Sequence, residues 1–271
     1  MENSTWLPYY SQVFNYVEID STFYNIPSEL MVKNWNRRTP DNFRFTAKFP
    51  KIITHDKKFN NVEKDLELFY KRMEPLKDKI LTLLIQLPPS YTIKKVLEDL
   101  KSHYFFFEGD FRYAIEVRNS SWFSDLAYNF FKNNNIAMVW SQMDRLQTPP
   151  VVTSDIIYLR LIGDSRLSDD QFGRIQIDRS EAIRNWTNKM KDVSQNEKDV
   201  KIGIVAANSH YGSYGPGTVD IFRQYLDMEK ISFEDVDVAK INRDLKSESR
   251  LDFVGNQVKK SKQTSISDFV N

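Results

Sequence analysis

The sequence has no cysteine, which excludes disulfides and any thiolate metal site. Glycine is scarce, 8 in 271 residues, and none builds a glycine-rich turn after the first strand-like run. A dinucleotide-binding fold or a P-loop therefore has no footing. No apolar run approaches the roughly 18 residues of a membrane-spanning helix, and no signal-peptide pattern opens the chain. Net charge is also nearly absent, with 38 Lys and Arg against 37 Asp and Glu. Any attraction for nucleic acid or an acidic surface must then come from local patches. Together these absences point to a soluble, cytoplasmic protein.

What is present is apolar material, 41% of residues, enough to bury a large core in a single α/β barrel domain. Seven short β-rich runs recur along the chain: "YVEID" (16–20), "FRFTAKF" (43–49), "ILTLLIQL" (80–87), "RYAIEVR" (112–118), "IAMVWSQ" (136–142), "IIYLRLIG" (156–163) and "KIGIVAAN" (201–208). Between most of them lie segments with helical spacing, such as "NVEKDLELFYKRMEPL" (61–76) and "SDLAYNFFKNNN" (124–135), the latter opening on Ser124 as N-cap. This alternation predicts parallel strands with crossover helices. An open doubly wound sheet and a (β/α) TIM-type barrel both fit. The shortage of glycine favours the barrel, with one strand fewer than its usual eight.

Within "YAIEVRNSSWF" (113–123) a carboxylate, Glu116, and a guanidinium, Arg118, sit two positions apart in an apolar run. In an extended chain that spacing points both the same way. Other polar residues stand at corresponding places near strand ends: Glu18 and Asp20, Lys48, Gln86, Ser141 and Asp144, Arg160, Asn208 and His210. In a barrel those ends converge on one face, where active sites of this fold are built. We expect Glu18, Lys48, Glu116, Arg118 and Arg160 to carry the chemistry, with Asp20, Tyr24, Gln86, Trp122, Asn208 and His210 contacting substrate.

The competing reading is an ion-pair lattice that only fills the barrel. Three cations in one mouth, two of them arginines, suit a phosphate or carboxylate ligand. Tyr24, Trp122, Trp140 and Tyr211 are candidates for stacking on a base or sugar. No G-x-S-x-G occurs, so serine hydrolase chemistry has little support. His55 and His210 with Glu18, Asp20 and Glu116 are ligand types that suit Zn or Mn, but no HxH or HxxxH spacing fixes two at once. His55 is equally explained as a loop hydrogen-bonder.

Six stretches, "VEIDSTFYNIPS" (17–28), "TPDNFRFTAKFPKIITH" (39–55), "LLIQLPPS" (83–90), "AIEVRNSSWF" (114–123), "YLRLIGD" (158–164) and "NSHYGSYGPGTV" (208–219), occur in the order and spacing of the YecE-like family, domain of unknown function 72, which this chain resembles from about residue 6 to 228. The resemblance implies a TIM-type barrel of unestablished activity. It places Glu18 and Asp20 in one motif, Lys48, Thr54 and His55 in the next, then Gln86 with Pro88 and Pro89, Glu116 with Arg118 and Trp122, Arg160, and Asn208 with His210. Two departures stand out. The family's first strand, of the kind "GTSGW", has no counterpart, and the chain opens on what reads as the first helix, "LPYYSQVF" (7–14). A late start, an open barrel or a strand from another chain would each account for this. In the last motif, Gly212, Ser213, Tyr214 and Gly215 replace a run with an acidic residue, so a site there is expected to be altered.

From about residue 229 the apolar periodicity fades into a polar, lysine-rich stretch, read as a tether over 229–262. The last nine residues, "QTSISDFVN" (263–271), resemble a sliding-clamp-binding peptide (PIP box). Gln263, Ile266 and Phe269 match its pattern, and Val270 stands where a second aromatic is usual. The expectation is a clamp-associated barrel acting in DNA replication or repair on a phosphate-bearing or nucleic-acid substrate. An enzyme of small anionic metabolites and a non-catalytic clamp accessory are the alternatives.

Overall fold

The computed structural model describes residues 3–94, 111–163, 172–234 and 236–246. Eight strands alternate with helices: β1 Tyr16–Ile19, β2 Arg44–Lys48, β3 Ile80–Gln86, β4 Tyr113–Glu116, β5 Ala137–Met138, β6 Trp140–Met143, β7 Ile156–Gly163 and β8 Ile202–Ala207. All their ladders are parallel, running β1-β2-β3-β4-β5 and β6-β7-β8. β5 and β6 are two halves of one stave, broken at Val139, whose N–H still reaches Ile115 O at 2.9 Å. The described residues thus form seven staves of a TIM-type barrel, as the seven β-rich runs predict.

Alternation along each strand sorts residues to two faces. Phe45, Leu83, Ile85, Ile115, Val117 and Met138 pack outward in one buried cluster with Val32, Leu66, Phe69 and Phe131. Those partners come from three helices, α3 Glu29–Arg37, α4 Glu63–Met73 and α5 Asp125–Asn133. α4 shows why: Leu66, Phe69 and Met73 fall on one helical face and are buried. Side-chain caps fix two helix starts, Ser28 accepting from Met31 N at 3.2 Å and Ser124 from Ala127 N at 3.5 Å. The inward set changes character along the barrel axis. Leu84, Ala114, Val139, Ile156 and Ile204 fill its lower part, and two residues further up the staves stand Gln86, Glu116, Ser141 and Ala206.

α1 Asn3–Val13 and α2 Ser21–Tyr24 flank β1, α6 Ser180–Asn196 leads into β8, and α7 Ser209–Gly212 and α8 Gly215–Tyr225 follow it. Gly163, at the top of β7, has φ +76, and a Cβ there would lie 2.4 Å from the backbone at His210 and Tyr211. Only glycine lets α7 seat this closely on the strand end.

Among the described residues no strand pairs with the outer edge of β1 or of β8. Between those edges runs a cavity of about 550 Å³, lined by Tyr16, Val17 and Glu18 on one side and by Ile202–Ala207 on the other. Phe14 and Leu226 line one end, Asp20 and Asn208 the other, so it runs the length of a stave. Barrels of this class close with eight strands, and the cavity lies between the first and the last of the described strands.

The stretch read as the start of the tether is held against the barrel as far as it is described. Phe233 stacks on Tyr9 with centroids 6.2 Å apart and meets Phe14 at 6.1 Å, and Ile231 N donates to Asp220 Oδ1 at 2.8 Å. Ile241 is buried in a helical segment, 238–246. The rings of Tyr9 and Phe14 and the carboxylate of Asp220 thus hold the stretch through Phe233 and Ile231. Residues 247–271, and with them Gln263, Ile266, Phe269 and Val270, lie outside the described residues, as does His103.

Candidate functional site

The polar ends of the staves meet at the C-terminal face of the barrel. Arg160, on β7, is at the centre. Its Nη2 and Nε donate to Glu18 of β1 at 2.5 and 2.9 Å, and its Nη1 donates to Glu116 of β4. Arg118 donates Nε to Glu116 Oε1 at 2.6 Å and Nη2 to Gln86 Oε1 at 3.2 Å. Lys48 lies 2.7 Å from Asp20 and 3.8 Å from Glu18. The five residues expected to carry chemistry therefore form one connected lattice from four staves and the loop after β4.

Register explains how the chain assembles it. Gln86 pairs with Glu116 across β3 and β4, and Ser141 with Arg160 across β6 and β7. β4 ends at Glu116, so Arg118 is not a strand residue as its run predicts. It stands just beyond the strand and still reaches back to Glu116.

Burial and charge act against each other here. Glu116 is fully buried, which would raise its pKa, but the charges of Arg160 and Arg118 outweigh burial and hold it below the usual carboxylate range. Arg160 is buried too, yet Glu116 and Glu18 keep it charged, with its pKa well above the ordinary value. Beneath Glu18 lies a ring of hydroxyls that the sequence reading missed. Tyr158 Oη donates to Glu18 Oε2, and Tyr158, Tyr16 and Thr46 lie within 2.7–3.0 Å of one another. Burial first, then the Glu18 charge, pushes both tyrosines far above their ordinary pKa. They remain neutral donors. The signal was the period-two continuation below Glu18, Lys48 and Arg160. Ser141 Oγ, buried beside Arg160 in register, has no hydrogen-bond partner among the described residues.

Lys48, Arg118 and Arg160, the three cations expected in the mouth, all stand there. Each is paired with a carboxylate, since an unpaired charge at such depth would be costly. Only two still face the opening: the Lys48 side chain is 12% and that of Arg118 25% exposed, against 6% for Arg160. Arg118 Nη1 has no protein partner among the described residues.

Of the residues expected to contact substrate, Gln86 joins the lattice, and Asp20 and Asn208 line the cavity between the edge strands. Asn208 also caps α7, accepting from His210 N at 2.9 Å. Tyr24 is 65% exposed on α2. His210 packs edge-on against Phe172 at 5.0 Å, and its buried Nδ1 has no partner among the described residues.

Trp122 is a correction: it is fully buried, stacks on Phe131 at 5.7 Å and donates its indole N–H to Tyr91 O at 2.9 Å. Its flat apolar surface is used in the core. Trp140, stacked on Trp186, and Tyr211, bonded to Gln142 at 2.7 Å, are buried likewise. Asp144 lies apart, on a second cavity of about 290 Å³ with Arg145 and Arg179. Among the described residues no three His, Asp or Glu side chains form a group that could hold a metal ion. No described helix is long and apolar enough to cross a membrane.

The barrel fold agrees with what the chain is similar to. The family model described as "Protein of unknown function DUF72" matches residues 1–241. The chain belongs to the DUF72 family. UPF0759 protein YecE of Escherichia coli K12 is 32% identical over 123 residues, and UPF0759 protein YunF of Bacillus subtilis 168 is 31% identical over 129. Each match covers 44% of this chain and 44% of the relative, so the similarity spans less than half of these curated relatives. A crystal structure of a DUF72 family protein from Enterococcus faecalis V583 superposes with a TM-score of 0.70 at 23% identity, covering 83% of this chain and 95% of that one. One from Thermotoga maritima MSB8 gives 0.67 at 26%, covering 84% and 91%. These likenesses support the barrel fold and carry no activity with them.

Proposed function

We propose that the C-terminal face of the barrel takes a phosphate-bearing ligand. The observation that carries this reading is Arg118: two of its nitrogens are fixed by Glu116 and Gln86, leaving the guanidinium preorganised and a quarter exposed, at the same end of the barrel as Lys48. A guanidinium already held in place loses little freedom on binding an anion, and its remaining donors suit phosphate oxygens. Glu18, Glu116 and Arg160 then hold the two ligand-facing cations in position. If catalytic, the site would act on a phosphate ester.

We further propose that the C-terminal peptide brings this barrel to a sliding clamp, so that the phosphate belongs to a nucleic acid in replication or repair. This part rests on the spacing of Gln263, Ile266 and Phe269. Calorimetry of the full chain against the organism's clamp tests it. Ile266→Ala with Phe269→Ala should weaken binding about a hundredfold or more, at roughly 1.5–3 kcal/mol for each buried side chain, and deletion of 263–271 should abolish it. Equal binding by the deleted chain removes the clamp from the account. Competition tests the ligand: a short single-stranded oligonucleotide should displace phenyl phosphate from the protein. Displacement by small phosphate monoesters alone favours a small anionic metabolite.

A further inference from the structure

The loop after β2 is wound into a π-helical turn, Ile52–Asp56, an uncommon geometry found frequently at functional sites. Thr54 is fully buried in it and His55 half-buried. Thr54 Oγ1 lies 2.7 Å from His55 Nδ1 and 3.5 Å from Pro50 O. The carbonyl can only accept. Both bonds are made together only when the hydroxyl donates to Pro50 and Nδ1 carries the ring hydrogen. In that arrangement the lone pair is on Nε2, which has no protein partner among the described residues.

The imidazole packs edge-on against Phe23 of α2, centroids 5.1 Å apart, and Lys48 Nζ lies 5.8 Å from the centre of the same ring. Phe23 thus holds a neutral nitrogen base and a ligand-facing cation against one wall of the mouth. Arg118, beyond the end of β4, is close enough for its charge to act on His55.

We propose that His55 Nε2 is the general base of this site, for attack by water on a phosphate ester held by Lys48 and Arg118. This deepens the phosphate-site reading and rests on it. The water oxygen forms a bond to phosphorus as its proton passes to Nε2. The P–O bond to the leaving group breaks, its electron pair departs with the oxygen, and that oxygen takes a proton from solvent. His55 then releases its proton to solvent, and the site is restored.

The charged groups around the ring agree with this role. Burial lowers the His55 pKa, Asp56 opposes that, and Arg118 and Lys51 lower it further, with a net shift below 6.5. Lys48, across Phe23, is paired with Asp20. The imidazole is therefore neutral at pH 7, the form a base requires.

The test uses the full chain, labelled with ¹⁵N-histidine, and bis(4-nitrophenyl) phosphate as probe for binding and hydrolysis. His55 should show the neutral Nδ1–H tautomer, and its Nε2 resonance should move on adding the probe. His55→Gln should bind the probe within about twofold of the native chain yet hydrolyse it at least about a hundredfold more slowly. It should also lose the limb of the pH–rate profile that rises through the imidazole titration. An Nε2–H tautomer, equal turnover by the variant, or binding without turnover by the native chain would overturn the base while leaving the phosphate site standing. No binding of the probe by the native chain would remove both.

Discussion

Glu18 and Glu116 are held by one guanidinium. Arg160 donates two hydrogen bonds to the first and one to the second, and so ties β1 to β4 through the barrel interior. Arg160→Met should destabilise the protein by about 3–5 kcal/mol, since it leaves Glu116 buried with only Arg118 beside it. Urea unfolding of the variant against the native chain measures this. A loss under about 1 kcal/mol would mean that the triad contributes no more than surface ion pairs do.

Acid should unfold the native chain through Glu116. Its folded pKa lies below the ordinary 4.5, so the stability it confers is present above that value and lost as pH falls through the folded pKa. Glu116→Gln should be less stable than the native chain at neutral pH, and the gap should narrow on acidification below about pH 4.5. Melting temperatures of both proteins across that range give the answer. A gap that stays constant or widens contradicts the assignment of Glu116 as a buried, paired carboxylate.

Much of this lattice was legible in the sequence. Glu18, Lys48, Glu116 and Arg160 are charges in apolar, period-two runs, and a parallel barrel brings the ends of such runs together whatever the helices between them do. An ion-pair lattice was one of the two readings the sequence allowed, but which cation meets which carboxylate was not legible, because it depends on which staves face each other across the barrel. The contact of Tyr158 with Tyr16 and Thr46 was hidden for the same reason. Trp122 misled because an aromatic beside a charged motif reads as a stacking surface, whereas here Tyr91 O and Phe131 satisfy it inside the core. Phe233 and Ile241 escaped notice because single apolar residues in a polar stretch have no period to reveal them.

The free edges of β1 and β8 should exchange backbone hydrogens fastest among the staves. Among the described residues each has a ladder on one side only, whereas β3 and β7 are paired on both. Hydrogen exchange followed by mass spectrometry should show peptides over 16–19 and 202–207 opening at lower free energy than those over 80–86 and 156–163. Uniform protection across all four would mean that both edges are covered in solution.

The most direct measurement of the central claim is calorimetric titration of the full chain and of Arg118→Ala with phenyl phosphate. Glu116 keeps Arg160 as partner in the variant, so the fold should survive with its melting temperature little changed. Loss of one charge-assisted contact should weaken binding by about 1.5–3 kcal/mol, on the order of ten- to a hundredfold. Equal affinity in the two proteins, or no binding by the native chain, would show that the exposed guanidinium is not an anion site and that the lattice only fills the barrel.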